Sequence, residues 1–272
     1  MGIVNVTPDS FSDGGLYAST ESALRHAARL IEEGADWLDI GGESTRPGGI
    51  PVSVEEELHR TMPVVQALIS MNRLVSVDTS KPEVMRAAIK AGATMINDVN
   101  ALRAPGALEA IAEGGVAACL MHMQGDPRSM QASPQYNDVV AEVKDFLRQR
   151  LDAAQAAGIL PEKLVIDPGF GFGKTLKHNI ELLRHLDRFT DMGVPVMVGL
   201  SRKSMLGKIT GNQVGDRIHA SVAAALLAVI KGARILRVHD VKATRDALSV
   251  YNVVSEETNG AVNATRPAAQ LR

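Results

Sequence analysis

Two groups of residues in this sequence have the types and spacing to do chemistry. The first is anionic. Asp78 in Val75-Ser-Val-Asp78-Thr-Ser80 and Asp167 in Val165-Ile-Asp167-Pro-Gly-Phe170 each end a short apolar run at turn-forming residues, and Asn97 does the same in Met95-Ile-Asn97-Asp98. An ionised carboxylate facing inward at a strand end is costly unless it receives hydrogen bonds. A carboxylate accepts two parallel N–H bonds, so the ligand edge that complements it is guanidine-like, as in the aminopyrimidinone of guanine or a pterin. Two other readings stay open for these residues: ligation of a metal such as magnesium, and a structural salt bridge from either aspartate to Lys203.

The second group is cationic: Arg46, Lys203, Arg237 and His239 follow the ends of other apolar runs. A chain with a net charge of −2 that gathers such groups at one rim is equipped to hold a compact anion, and phosphate suits the arginine fork. The alternative is pairing with a local acid such as Asp240 or Glu43. Three loops rich in glycine or bearing proline, 7–15, 41–49 and 169–173, let backbone approach a ligand closely. Phe172, between two glycines, is placed either to stack on a flat ligand or to pack in the core. Met121 points inward and can wall a flat ring, whereas its neighbour His122 points away and is read as structural.

Such residues need elements to position them. Strand-like runs occur at 2–7, 36–42, 74–79, 94–98, 116–122, 164–167, 194–200 and 235–239, with amphipathic helical patterns between them. The apolar helix faces include Ala23, Ala27, Leu30 and Ile31 in the first, Val54, Leu58, Met62 and Val65 in the second, and Val139, Val143, Phe146, Leu147 and Leu151 in the fifth. Gly34, Gly92, Gly158 and Gly232 sit where left-handed helix ends are expected. Eight strand–helix units without a Pro/Gly/Ser-rich linker predict a single-domain α/β fold, a (β/α)8 TIM barrel over 1–254, with a flexible tail over 255–272. A doubly wound open sheet would gather its polar strand ends near one crossover. Here they are spread around the whole set. Alternation then aims Ile3/Asn5/Thr7, Ser76/Asp78, Met95/Asn97, Val165/Asp167, Met197/Gly199/Ser201 and Ile235/Arg237/His239 into the barrel.

Composition limits the remaining classes. Apolar residues make up 45% of the chain, enough for a sizeable core, and there is no basic excess to argue for nucleic acid. Cys119 is the single cysteine, so no internal disulfide forms and a cytoplasmic, reducing setting is expected. No apolar run approaches the ~20 residues that span a bilayer, so no membrane partner is expected. The helix from Arg217 to Ile230 is apolar on nearly all sides, more than one buried face requires, and marks a subunit interface.

Six motifs in order, Asn5-Val-Thr-Pro-Asp-Ser-Phe-Ser-Asp-Gly-Gly15, Gly41-Gly-Glu-Ser-Thr-Arg-Pro-Gly48, Ser76-Val-Asp-Thr-Ser-Lys-Pro82, Asp167-Pro-Gly-Phe-Gly-Phe-Gly-Lys174, Ser201-Arg-Lys-Ser204 and Arg237-Val-His-Asp240, resemble the bacterial dihydropteroate synthases. The resemblance covers residues 2 to about 254. It implies a barrel enzyme that joins 6-hydroxymethyl-7,8-dihydropterin pyrophosphate to 4-aminobenzoate in folate biosynthesis, with Mg2+ present, as a homodimer and a sulfonamide target. It implies that Asp78, Asn97, Met121, Asp167 and Lys203 hold the pterin, and that Asn5, Arg46, Arg237 and His239 hold pyrophosphate, Asn5 also touching the metal. Thr45, Pro47, Phe172, Ser201 and Lys203 would shape the aminobenzoate site, and Asp78, Asp167, Lys203 and Arg237 would be catalytic.

One departure from the family pattern is expected to matter. Members usually carry a short N-terminal segment capping the barrel bottom before the first strand, which here begins at residue 2, so a less closed barrel bottom is expected. Two rival functions share the pterin-holding residues: a methyltransferase of related barrel type and a non-catalytic pterin-binding protein. The first would not need the Ser201-Arg-Lys-Ser204 and Arg237-Val-His239 groups, and the second would not need every polar position filled.

Overall fold

A computed structural model of the chain describes residues 1–6, 15–44, 51–126 and 129–258. Eight parallel strands alternate with helices: β1 Gly2–Asn5, α1 Gly15–Glu32, β2 Trp37–Gly41, α2 Val54–Ser70, β3 Leu74–Asp78, α3 Pro82–Ala91, β4 Met95–Asp98 and α4 Ala107–Gly114 make the first half. The second half runs β5 Ala117–Met121, α5 Val139–Ala156, β6 Leu164–Asp167, α6 Leu176–Arg184, β7 Met197–Val198, α7 Ser204–Thr210, α8 Ile218–Ile230, β8 Ile235–Leu236 and α9 Val241–Thr258. Strands β1 to β6 form one sheet in sequence order and β7 pairs with β8. Two single bridges, Ile166 with Val196 and Gly2 with Val238, join these parts into a ring. At the closing seam the Ile3 N–H donates to the Val238 carbonyl at 3.0 Å and the Val238 N–H to the Met1 carbonyl at 3.0 Å. The eight-strand barrel expected from the sequence is therefore present, with β7 and β8 shorter than their apolar runs.

Strand alternation divides the apolar residues into two populations. Val4, Leu38, Ile40, Val75, Val77, Ile96, Leu120 and Ile166 belong to the large core between strands and helices. Met95, Cys119, Val165 and Met197, with Met1, Ala117 and Ile235 against them, form a separate small cluster inside the barrel. The inward sets predicted for β4, β6, β7 and β8 each contribute to it. Phe189 is completely buried in a 3-10 segment over Leu186–Met192 that returns the chain to β7.

The helices start and stop where local chemistry dictates. The Ser53 hydroxyl accepts the Glu56 N–H at 3.2 Å and Asp138 accepts the Val140 and Ala141 N–H groups at 3.0 and 3.1 Å, satisfying donors that the helix itself leaves open. Gly34, Gly92, Gly158 and Gly232 all have positive φ at the helix ends where they were expected. The buried face of α2 differs from expectation: Glu57, Thr61, Val64, Val65 and Leu68 are buried, while Leu58 and Met62 only flank the core. The helix is rotated because Glu57 turns inward to meet Lys81. Helix α9 continues through Thr258, past the boundary drawn at Ser255, and residues 259–272 lie outside the described residues.

Phe189→Ala removes a wholly buried ring from a region where backbone bridges are fewest, and is expected to cost about 3–5 kcal/mol of folding stability in a urea titration.

Candidate active site

Parallel register brings the candidate residues to common levels. Asn5 is level with Gly41, Gly41 with Asp78, and Asp78 with Asn97. Asp167 ends β6 level with Met121. All stand at or next to the carboxyl ends of their strands, which is the face where barrels of this kind open their sites. One layer deeper, Asp39 is level with Ile3 and Ser76.

The centre of the mouth is held by Arg237. Its Nε donates to Asp39 Oδ2 at 2.6 Å and its Nη2 to Asp78 Oδ2 at 2.8 Å, while Asn97 Nδ2 donates to the same Asp39 oxygen at 3.1 Å. Arg237 is thus paired with acids, as the alternative reading had it, but with Asp39 and Asp78 and not with Asp240 or Glu43: Asp240 takes Arg202 in a two-point bond at 3.0 and 2.5 Å, and Glu43 takes Lys81. Asp39 was missed as a site residue from sequence. The signal was present, because a charge between Leu38 and Ile40, which both face the helices, has to point inward.

Buried charge sets the electrostatics of the pocket. Burial pushes the Asp78 carboxyl up to about 7, against the pull of Arg237 and with Asp39 adding to the rise. Burial also raises Asp167, opposed by the Gly169 N–H, which donates to Asp167 Oδ1 at 2.7 Å, and by the Lys203 charge. Burial works against the charge on Arg237, but Asp39 and Asp78 more than offset it and hold the guanidinium protonated. Among the described residues, Asp39 Oδ1, Glu57 Oε1, Ser76 Oγ and Asp78 Oδ1 are buried oxygens with no hydrogen-bond partner. Buried acceptors left in that condition at a strand mouth call for donors from a ligand.

The apolar wall and the rim complete the site. Met121 packs with Val99, Met123 and Met130, and Phe172 lies against this cluster. The Lys203 ammonium stands over the Phe172 ring, 4.2 Å from its centroid, so one face of this half-buried ring meets a cation while the side chain packs on the methionine cluster. Ser201 Oγ accepts the His239 backbone N–H at 3.1 Å and lies 3.0 Å from His239 Nδ1. Two contacts from one hydroxyl fix the orientation of the His239 ring. A cavity of about 350 Å3 adjoins Asp78 on the β2 to β4 side, lined also by Glu43, Glu57, Lys81, Val99 and Met123. His122 faces outward as expected, against Tyr136 and Phe146. Thr45, Arg46 and Pro47 lie outside the described residues.

Asn5 is the candidate metal contact. Its Oδ1 lies beside Gly41, 3.7 Å from the point where a Cβ would stand. Among the described residues no three His, Cys, Asp or Glu side chains are grouped to hold a metal. Magnesium commonly takes one or two protein oxygens and completes its shell with phosphate and water, so Asn5 fits an ion that arrives with its phosphate ligands.

Comparison with known proteins agrees with this geometry. A family profile described as "Pterin binding enzyme" matches residues 1–239. The dihydropteroate synthase of Escherichia coli K12 is 53% identical over 251 residues, covering 92% of this chain and 89% of that protein. The structure of Xanthomonas albilineans dihydropteroate synthase with 4-aminobenzoic acid is 57% identical, covers 94% of this chain and 92% of that one, and superimposes with a TM-score of 0.89. The Yersinia pestis dihydropteroate synthase, solved with a sulfonamide drug, is 49% identical, covers 94% of each chain and superimposes with a TM-score of 0.90. The chain belongs to the pterin-binding enzyme family, within the dihydropteroate synthases.

Proposed function

We propose that the chain condenses 6-hydroxymethyl-7,8-dihydropterin pyrophosphate with 4-aminobenzoate, giving 7,8-dihydropteroate and pyrophosphate. The observation that carries this reading is the orphaned buried oxygen of Asp78, next to Asn97 and across the mouth from Asp167. A pterin's amino and ring N–H groups are the donors such acceptors need, and the Met121 and Phe172 surfaces suit its flat ring. Asp78, Asn97, Asp167 and Lys203 would hold the pterin. Arg46, Arg237 and His239 would face the pyrophosphate, and Thr45, Pro47, Phe172, Ser201 and Lys203 the aminobenzoate.

The chemistry follows from these placements. Breaking the bond between the exocyclic methylene and the pyrophosphate oxygen sends both electrons to the leaving group and leaves positive charge on the methylene and ring. Asp78 and Asp167, buried and fixed before the reaction, would stabilise that charge where water is excluded. His239, oriented by Ser201, and Arg237 would stabilise the departing anion. When magnesium is bound, Asn5 would hold it and it would offset charge on the pyrophosphate. The arylamine nitrogen then forms the new bond to the methylene and loses a proton, with positioning supplying much of the rate.

The reading extends to assembly and setting. Helices α8 and α9 pack side by side, and the exposed apolar residues Leu227 and Ile230 on α8 and Val250, Val253 and Val254 on α9 support a homodimer formed through these helices. The buried, unpaired thiol of Cys119 supports a cytoplasmic setting, and no helix among the described residues is long and apolar enough to cross a membrane.

Pyrophosphate release from the wild type should require both substrates and magnesium, and Asp167→Asn should lower kcat/KM by about 100-fold or more. Pterin binding without release would instead favour the methyl-transfer or non-catalytic reading. Only an ionised Asp78 accepts two N–H bonds, and its carboxyl takes up a proton as pH falls through about 7. Pterin affinity measured by calorimetry should therefore fall about tenfold between about pH 8 and pH 6. Leu227→Glu with Ile230→Glu should convert a dimer to a monomer in sedimentation, leaving the melting transition intact.

A further inference from the structure

The loop that carries Phe172 has little to hold it in place by itself. Between Asp167 and Lys174 it contains Gly169, Gly171 and Gly173, all at positive φ, so its backbone gains no rigidity from side chains of its own. Its close packing explains the glycines. A Cβ on Gly169 would stand 1.9 Å from the His122 carbonyl oxygen, and one on Gly173 2.5 Å from that of Gln124. Four of its carbonyls accept from side chains: Gly169 and Phe172 from Lys174 Nζ, both at 2.9 Å, Gly171 from Gln131 at 2.5 Å, and Gly173 from the Tyr136 hydroxyl at 2.8 Å.

Lys174 is the unusual member of this set. Its side chain is 3% exposed, and its three closest contacts are to neutral acceptors: the two carbonyls and His122 Nδ1 at 2.8 Å. A buried ammonium without a carboxylate in contact is expensive, and three well-placed acceptors are what an –NH3+ group needs to be kept there. The ammonium thereby ties the first and fourth residues of the loop to the β5 end. Beyond that tie, the Phe172 ring faces Lys203, and Gly171 lets the Lys203 stem pass 3.3 Å from where its Cβ would be. The proposed mechanism uses neither Lys174 nor His122.

We infer that Lys174, with His122 Nδ1 as its acceptor, is a positioning residue for the arylamine substrate: it fixes the Gly169–Gly173 loop so that Phe172 and Lys203 are presented together at the aminobenzoate end of the site. The inference rests on the proposed function, and it makes a distinction within that function. Asp78, Asn97 and Asp167 stand at the ends of their own strands, so the pterin grip shares with the tie only Lys203 and the Gly169 N–H bond to Asp167. The arylamine contact depends on it through both Phe172 and Lys203.

The test compares Lys174→Met, His122→Leu and His122→Asn, the last of which keeps an acceptor oxygen where Nδ1 stood. Lys174→Met and His122→Leu should raise KM for 4-aminobenzoate by about tenfold while KM for the dihydropterin pyrophosphate and kcat change by less than about threefold, and His122→Asn should restore the wild-type value. Hydrogen exchange of the peptide covering residues 167–175, followed without substrates, should speed up in the first two variants and not in the third. Equal rises in both KM values, or unchanged kinetics with faster exchange, would overturn the positioning role. If Lys174→Met does not fold, the pair of His122 variants decides. A wild type that releases no pyrophosphate would sink the proposed function, and the exchange comparison would still show whether the tie exists.

Discussion

The site depends on one interaction, the two-armed bond from Arg237 on the last strand to Asp39 on the second and Asp78 on the third. It spans most of the chain in sequence and the width of the barrel mouth in space. Each partner alone would be a burial error: Asp39 has no exposed surface, and Asp78 is 8% exposed. Together they form a network in which removal of any member leaves an uncompensated charge, the situation in which a buried pair is most costly to break. The seam between β8 and β1 consists of few backbone bonds, so this side-chain bond also ties the last strand to the others where the sheet is least continuous. Architecture and electrostatics are therefore coupled at a single guanidinium.

Around that centre, the loops are held by a second tier of buried polar groups, each on a different strand end. After β4, Asp98 accepts the Asn100 and Leu102 N–H groups at 2.7 and 2.8 Å and the Ser80 hydroxyl at 2.5 Å. Arg150 from α5 donates to the carbonyls of Ala101 and Leu102, at 2.8 and 3.1 Å. Those two residues have positive φ without being glycine, a conformation that persists only where surrounding structure over-determines it. After β7, Arg202 is also at positive φ, and its N–H is held by Ser221 and its guanidinium by Asp240. Strain is thus placed next to Asn97 and between Ser201 and Lys203, where a precise backbone has most value for binding.

The sequence was most legible where one physical rule acted alone. Alternation in eight apolar runs placed the strands and aimed Asp78, Asn97 and Asp167 correctly, because a two-residue period admits only two orientations. It was least legible where two rules met. Asp39 sits in the middle of its run, away from the turn-formers that drew attention to the other acids, and its partner Arg237 is remote in sequence. Helix α2 was read by apolar spacing alone, yet Glu57 competes for the inward face by meeting Lys81, and that pairing outweighs the burial of Leu58 and Met62. Lys174 stands outside the cationic group read from the sequence. Nothing in periodicity distinguishes an exposed lysine from one whose ammonium is enclosed by carbonyls.

The distribution of charge gives the pocket a direction. Deep in the mouth, Asp39, Asp78 and Asp167 outnumber Arg237, the one cation bonded among them, and burial raises both Asp78 and Asp167, so a ligand that brings N–H donors relieves a standing cost. Toward the rim stand Lys203, over Phe172, and His239, held by Ser201. A substrate with a donor-rich ring at one end and a polyanion at the other has only one favourable orientation in such a field. In the proposed reaction, positive charge developing on the ring would form beside the buried carboxylates and negative charge would leave toward the rim. Separating the two charges would be the difficult part of that step, and fixed groups that favour each in its place would make a covalent intermediate unnecessary.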